Sequence, residues 1–530
     1  MDEYKGVSPW MALSPIVLLS LLALAGLYAP HFQRASKASR AAPATLSMTP
    51  AVELWLSTAD RRLRLARQPD IAMSLQDTSS ADVVIDTSKK YQSIVGFGAA
   101  LTDSSAWLIR NKLTGQQRNA LLHELFGPPP NLGLNMTRLT IGASDFSLQH
   151  YTLDDLPAGD SDPSLQHFNV ASNLHDVIPI VREAMSINPQ LRIVASPWSA
   201  PAWMKTSDNL IGGELRGQYE STYADYLVKY VDTYRDYGIP IFALTLQNEP
   251  TFVPLTYPGM SLPAPTRARI IAQYLGPALA GRKPKTHILG WDHNWDLPDQ
   301  PLSELSDAAA ARYIDGIAWH CYRGSPYAQG QVHRAFPGKD AYITECSGGD
   351  WASSRNGELL WFTRDLLLTG LRQWARGVVY WNLALDEHHG PHAGGCDACK
   401  GVVTIDSHTG AVSRNDEYYA FAHFSQFVLP GAVRVKSSDR EKGIDNVAFQ
   451  NAGGGSIVLV MVNSNTDARR VAVKQDQTRF HYTLPPQSVA TFVWNEDLTS
   501  RPVGTIGASL KKAFGTAATG HAISERAVVE

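Results

Sequence analysis

The chain has 530 residues, of which 44% are hydrophobic and 18% charged, with a formal net charge of −3 and a pI near 6.6. That composition excludes a disordered chain, and the length leaves room for one barrel of about 250 residues or more plus a further domain. There is no basic excess and no long run of one sign, so nothing points to nucleic acid as a partner. Thirteen tryptophans and twenty tyrosines offer faces for stacking on sugar rings, although aromatic residues are also the commonest large core fillers.

Met11 to Ala29 is apolar, densest from Ile16 to Ala25, and reads as a signal h-region or one membrane-anchoring helix. Its flanks reverse the usual bias, with Asp2 and Glu3 before it and Arg34, Lys37 and Arg40 after it. Export is expected, to a secreted or periplasmic location, with the segment cleaved near Ala25 to Ala29 or kept as an anchor. Residues 1–45 are therefore leader and linker. Residues 46–90 supply β-type runs without crossover helices, from Val52 to Leu65 and from Asp82 to Asp86.

From residue 91 to 428 short apolar strands alternate with amphipathic helices, the pattern of a parallel sheet. Eight strands can be counted, at Ile94–Gly98, Leu134–Thr140, Leu191–Ser196, Ile241–Gln247, His287–Gly290, Gly316–His320, Ala341–Thr344 and Gly377–Asn382. Eight is the number that closes a barrel. The helical stripes between them include Leu174, Val177, Ile178, Val181 and Met185, then Tyr219, Tyr223, Tyr226, Leu227, Tyr230 and Tyr234. The tyrosine stripe is read as packing. Residues 429–497 return to strands and turns, as in an antiparallel sandwich that the early strands complete. The fold class is thus α/β, a (β/α)8 TIM barrel with a discontinuous side β-sandwich, and residues 498–530 are expected to be a disordered tail.

Two strands end in a glutamate. Phe242-Ala-Leu-Thr-Leu-Gln-Asn-Glu-Pro250 delivers Asn248 and Glu249 to the end of the fourth strand, and Ala341-Tyr-Ile-Thr-Glu345 delivers Glu345 to the end of the seventh. Two carboxylates on strand ends are the minimum equipment for cleaving a glycosidic bond. The neighbouring ends carry Asp103, Arg138, Asp145, Trp198, Trp203, Trp291, Asp292, His293, His320, Tyr322, Trp381 and Asn382. Indole faces suit the C–H faces of a pyranose, while carboxylates and amides suit its hydroxyls. Of the four cysteines, Cys321 and Cys346 read as buried small hydrophobes. Cys396 and Cys399, in a Gly-rich loop, read as a short disulfide after export, with a zinc site using His388, His389 or His392 as the alternative.

Across Val52 to Trp494 the sequence resembles glycoside hydrolase family 30, and within it the glucosylceramidases. The resemblance is carried by Gly96-Phe-Gly-Ala-Ala-Leu-Thr-Asp103, Ser196-Pro-Trp-Ser-Ala-Pro-Ala-Trp-Met-Lys-Thr206, Gln247-Asn-Glu-Pro250, Thr344-Glu-Cys346 and Trp381-Asn-Leu-Ala-Leu385. It implies the same barrel and sandwich, with Glu249 as general acid/base, Glu345 as nucleophile and retention of configuration. The charge of Glu345 is expected to raise the pKa of Glu249. The resemblance further implies that Asn248 holds the 2-hydroxyl and that Asp103, Trp198 and Trp381 grip the far hydroxyls. Arg138, His320 and Tyr322 look like supports for the two glutamates. No cofactor or metal is expected. The partner is a β-glucoside, glycolipid or glucan, with membrane-surface contact for a lipid substrate. Glucosylceramide-like hydrolysis is the first expectation, an endo-β-1,6-glucanase the alternative in the same family, and a non-catalytic carbohydrate-binding protein the alternative of another class. Cys321 departs from the animal enzymes, which have Trp there, and the insert from Asp386 to Lys400 resembles bacterial members.

Overall fold

The structure is a computed structural model, and it describes residues 51–495 apart from 76, 352–356 and 441–442. The apolar Met11–Ala29 stretch, the linker and the tail from residue 498 lie outside the described residues.

Eight parallel strands close into a barrel: β1 Gly96–Ala100, β2 Met136–Ile141, β3 Arg192–Pro197, β4 Ala243–Thr245, β5 His287–Asn294, β6 Ile314–His320, β7 Asp340–Glu345 and β8 Ala375–Tyr380. Each pairs with the next, and β8 pairs with β1. Within the Gly96-Phe-Gly98 motif, Gly98 is required by close approach: a Cβ there would lie 1.8 Å from the Met136 carbonyl oxygen on β2. The interior follows from the period of 2. Met136, Val194, Ala243, Leu289, Ala318, Tyr342 and Val379 form one buried apolar cluster, a single residue from each of seven strands. Two residues further along, the same faces present Arg138, Ser196, Thr245, His320, Thr344 and Trp381. An apolar plug therefore floors a polar layer.

Strand β5 breaks the alternation. Its register against β6 shifts between Trp291 and His293, and both Trp291 (φ 67°) and Asp292 (φ 72°) take the left-handed conformation. The extra residue hands the interior position to Asp292. Trp291 turns into the outer core, where the Arg267 guanidinium lies 5.4 Å from its ring centre. The outer layer matches the stripes read from sequence except at Leu174, which precedes the helix Val177–Ile187 and is exposed. On the helix Glu220–Asp236, Tyr223, Tyr226, Tyr230 and Tyr234 are all fully buried.

Segments before and after the barrel build the side domain, a nine-stranded sheet among the described residues. Ala51–Thr58 pairs antiparallel with Ser488–Asn495, and Val83–Ser93 lies between Val433–Ser437 and Arg469–Gln475. On Ser456–Asn463, Ile457, Leu459 and Met461 join the core of this domain, while Val458, Val460 and Val462 join the core shared with the barrel. Burying each such side chain is worth about 1.5–3 kcal/mol. The sequence run expected from Val52 to Leu65 ends at Thr58 and returns as Ala66–Ala72. The returning strand, Ala-Arg-Gln-Pro-Asp-Ile-Ala, is mostly polar and half exposed, so it has no alternating signal.

The cysteines correct one expectation. Cys321 and Cys346 are joined in a disulfide with a Cα–Cα distance of 5.2 Å. The register of β6 on β7 explains it: His320 pairs with Glu345, so the next residue on each strand falls beside the other. Cys396 and Cys399 also form a disulfide. That consumes the thiols the zinc alternative needed, and the His389 ring lies instead 3.0 Å from the Cys399 carbonyl and 2.9 Å from Asp350.

Candidate active site

The polar layer is organised by Asp292, which is fully buried. Its Oδ2 accepts from Arg138 (2.9 Å), Ser196 (2.8 Å) and Thr245 (2.6 Å), and its Oδ1 from His320 Nε2 (3.1 Å) and Thr344 (2.6 Å). Burial alone would push this carboxyl up. The charges of Arg138 and His320 and the hydroxyl donors outweigh it and hold Asp292 well below the usual carboxylate range. Arg138 forks from this hub, donating to Glu345 Oε2 at 2.5 Å and to Asn248 Oδ1 at 2.8 Å. Arginine has no acceptor, so this contact fixes the Asn248 amide with its oxygen inward and leaves its NH2 for another partner.

Glu345 accepts a second hydrogen bond from the Tyr322 hydroxyl at 2.9 Å. Glu249, with φ 46° just before Pro250, places Oε1 3.2 Å from Nδ1 of both His320 and His293. The same His320 nitrogen is 3.8 Å from Glu345 Oε1, so the two glutamates flank one imidazole. Here the expectation for Glu249 is overturned. Burial does raise it, but the two close imidazoles of His293 and His320, the latter hydrogen-bonded to it, prevail and hold it below the usual range. His320 itself is raised to about 9, because the negative charges of Glu345, Asp292 and Glu249 outweigh its burial. Both imidazoles stand 3.2 Å from Glu249; His293 was named in the sequence as a strand-end residue, without this contact.

The wall of the site is aromatic. Trp198 and Trp381 stack at 5.0 Å, 20° from parallel, with the Arg138 guanidinium 4.9 Å from the first ring. Gln247 holds the Trp198 carbonyl at 2.6 Å, and Asn382 (φ 80°), which accepts from Thr102 at 2.9 Å, turns the chain beyond Trp381. Asp103 stands apart from this network and accepts from the Tyr151 hydroxyl at 2.9 Å. Burial pushes it up to about 6, and burial together with Glu345 pushes Asp145 up to about 8. The Asp386–Lys400 insert closes over these residues: Ala393 N–H donates to the Asp145 carbonyl at 2.8 Å, and a Cβ on Gly395 would lie 2.5 Å from the Asp145 side chain.

These directions set a pH window. Asp103, Asp145 and Glu417, whose buried carboxyl is raised to about 8, favour the fold while protonated, so their contribution is complete below about pH 4 and lost as pH rises through about 6 and 8. His320 adds loss as pH rises through about 9. Glu249 and Asp292, held low, contribute above about pH 4.5 and lose this as pH falls. Thermal unfolding followed from pH 3 to 10 is therefore expected to give the highest Tm near about pH 5, with a decline towards pH 9. A Tm that rises steadily to pH 9 would contradict it.

Residues 94–428 match the model of the glycosyl hydrolase family 30 TIM-barrel domain, and residues 431–492 match that of the family 30 β-sandwich domain. The chain belongs to glycoside hydrolase family 30. It is a glycosidase of a retaining family. Among its relatives, an endo-1,6-β-D-glucanase of Aspergillus fumigatus is 35% identical over 77% of this chain and 87% of its own length. The lysosomal acid glucosylceramidase of Mus musculus is 30% identical over 78% of this chain and 83% of its own. Among solved structures, an endo-β-1,6-glucanase matches with a TM-score of 0.77 and 30% identity, covering 84% of this chain and 99% of that one.

Within this family 30 chain, the structure brings Arg138, Asn248, Glu249, His320, Tyr322 and Glu345 into one bonded group, with Trp198 and Trp381 beside it. Asp292 and His293 were legible only as polar residues near a strand end. The bulge that turns Asp292 inward leaves no mark in a period-2 pattern. Ser196, Thr245 and Thr344 were hidden for a simpler reason: small hydroxyl residues inside strands read as ordinary β-formers.

Proposed function

We propose that the protein is a retaining endo-β-1,6-glucanase that cleaves β-1,6-linked glucan. The observation that carries this reading is the ranking of its relatives: three fungal endo-1,6-β-D-glucanases at 34–36% identity stand above the glucosylceramidases at 29–30%. The first expectation from sequence, glucosylceramide, thus gives way to its alternative. The relevant partner is a glucan, and an exported location fits a polymer substrate.

In this reading Glu345, paired with Arg138 and Tyr322, attacks the anomeric carbon as the bond to the leaving oxygen breaks. Glu249 protonates that oxygen. The proton resides on the Glu249/His320 pair, on His320 Nδ1 in the free site, and crosses 3.2 Å to Glu249 as negative charge develops on the leaving oxygen. Once the glycosyl-enzyme has formed, the charge on Glu345 is gone. Glu249 then takes a proton from water, which attacks the same carbon and restores the starting configuration. The free NH2 of Asn248 donates to the 2-hydroxyl, Trp198 and Trp381 cover a ring face, and Asp103 binds the distal hydroxyls.

One observation favours a second reading. On the loop after Glu249, Phe252, Val253 and Leu255 are exposed, the last at 88%. Such apolar surface suits a lipid aglycone at a membrane face. Parallel assays on β-1,6-glucan, glucosylceramide and an aryl β-glucoside decide between them. Oligosaccharides released from the glucan, without glucose from the glycolipid, are expected. Glucose from the glycolipid with an inert glucan would reverse the assignment.

A further inference from the structure

The loop that follows β2 gathers Asp154, Asp162 and His167, none of which belongs to the bonded group around Glu249 and Glu345. One ligating atom from each lies within 4.8 Å of the others. Asp154 is only 1% exposed, yet neither of its carboxylate oxygens has a hydrogen-bond partner. A buried carboxylate without donors is among the costliest groups a fold can keep, and it calls for a partner. Asp162 is also buried; its Oδ2 accepts from the His167 backbone (2.7 Å) and lies 3.0 Å from the His167 ring Nδ1. The nearby cation, Lys229, donates its ammonium to the Leu165 carbonyl at 2.5 Å.

We propose that Asp154, Asp162 and His167 bind one divalent first-row metal cation, Zn2+ or Mn2+. Two carboxylates and an imidazole form a mixed oxygen and nitrogen set that suits these ions, whereas Ca2+ takes six to eight oxygens. The 3.0 Å between the Asp162 oxygen and the His167 nitrogen is a workable edge for two ligands of one small ion. On binding, that nitrogen gives its lone pair to the metal, and the ring keeps its proton on Nε2. The His167 side chain is 65% exposed, which supplies the entry path. The sequence spacing, Asp-x7-Asp-x4-His, matches no metal motif, so only the fold brings the three together.

The ion would pin the loop that walls the sugar site. Beside Asp154, the Leu153 N–H donates to Tyr226, the Asp154 carbonyl accepts from the Trp203 indole at 3.0 Å, and Tyr151 reaches Asp103. The cation is thus a structural clamp and takes no part in the chemistry.

The test is calorimetric titration of the full chain, stripped with EDTA, with Zn2+ and with Mn2+, together with thermal unfolding at each ion concentration. One ion per chain is expected, with a Tm that climbs with ion concentration as mass action requires. Asp154→Asn and His167→Ala should each weaken binding by more than about tenfold. Two other clusters, Glu249/His293/His320 and Glu387/His388/His408, could also hold an ion. Glu249→Gln and His388→Ala should therefore leave the titration unchanged. Absence of binding, or binding lost in either of these controls and kept in His167→Ala, would overturn the proposal. The exposed His167 keeps the test valid even if Asp154→Asn fails to fold.

Discussion

Glu345→Gln is expected to lower kcat on β-1,6-glucan by at least about four orders of magnitude, because a carboxamide cannot form the glycosyl-enzyme. KM should change little and the fold should persist, since the amide keeps the volume and can still accept one hydrogen bond where the carboxylate accepted from Arg138 and Tyr322. Glu249→Gln should behave differently. With an aryl leaving group that needs no protonation, its first step should remain fast and its second slow, giving a burst of released phenol. NMR of the earliest product from the unmodified protein should show the β anomer. An α anomer, or more than a tenth of the activity left in Glu345→Gln, would show that Glu345 is not the nucleophile.

The two glutamates were legible because each terminates an apolar run at the mouth of a barrel, where a charged residue has no packing reason to be. The eight strands were legible for a related reason: β-rich segments such as Leu191–Ser196 are buried on both faces and stand out from the helices between them. What stayed hidden depends on contacts across the barrel. The sequence named Arg138 as a support for the glutamates but not its fork, whose three partners come from the loop after β4, from β5 and from β7. The Cys321–Cys346 bond depends on register, which sequence separation does not encode. Within residues 429–497 the strands Arg469–Gln475 and Thr478–Leu484 carry only a weak alternation, because Arg470, Lys474, Arg479 and His481 stand at least partly exposed beside buried neighbours.

Asp292→Asn is the substitution whose effect reaches furthest beyond its own position. Asparagine presents one acceptor oxygen and one NH2 donor where the carboxylate met five donors, so at least one of Arg138, Ser196, Thr245, His320 and Thr344 loses its partner. Removing one side of a fully buried ion pair costs about 3–5 kcal/mol, which should lower Tm by several degrees. A merely structural role would stop there. Asp292 also helps hold His320 in its charged form, and in the proposed mechanism His320 keeps the proton that Glu249 delivers. Without that support the proton is lost at lower pH. The alkaline limb of kcat/KM is therefore expected to move down by at least about one pH unit, with kcat at its optimum reduced on the order of a hundredfold. Asp292→Glu, which keeps the charge but displaces it, should retain the position of the limb while losing rate. If the limb in Asp292→Asn stays where it is in the unmodified protein, the imidazole does not depend on Asp292 for its proton, and the Glu249/His320 relay loses its foundation.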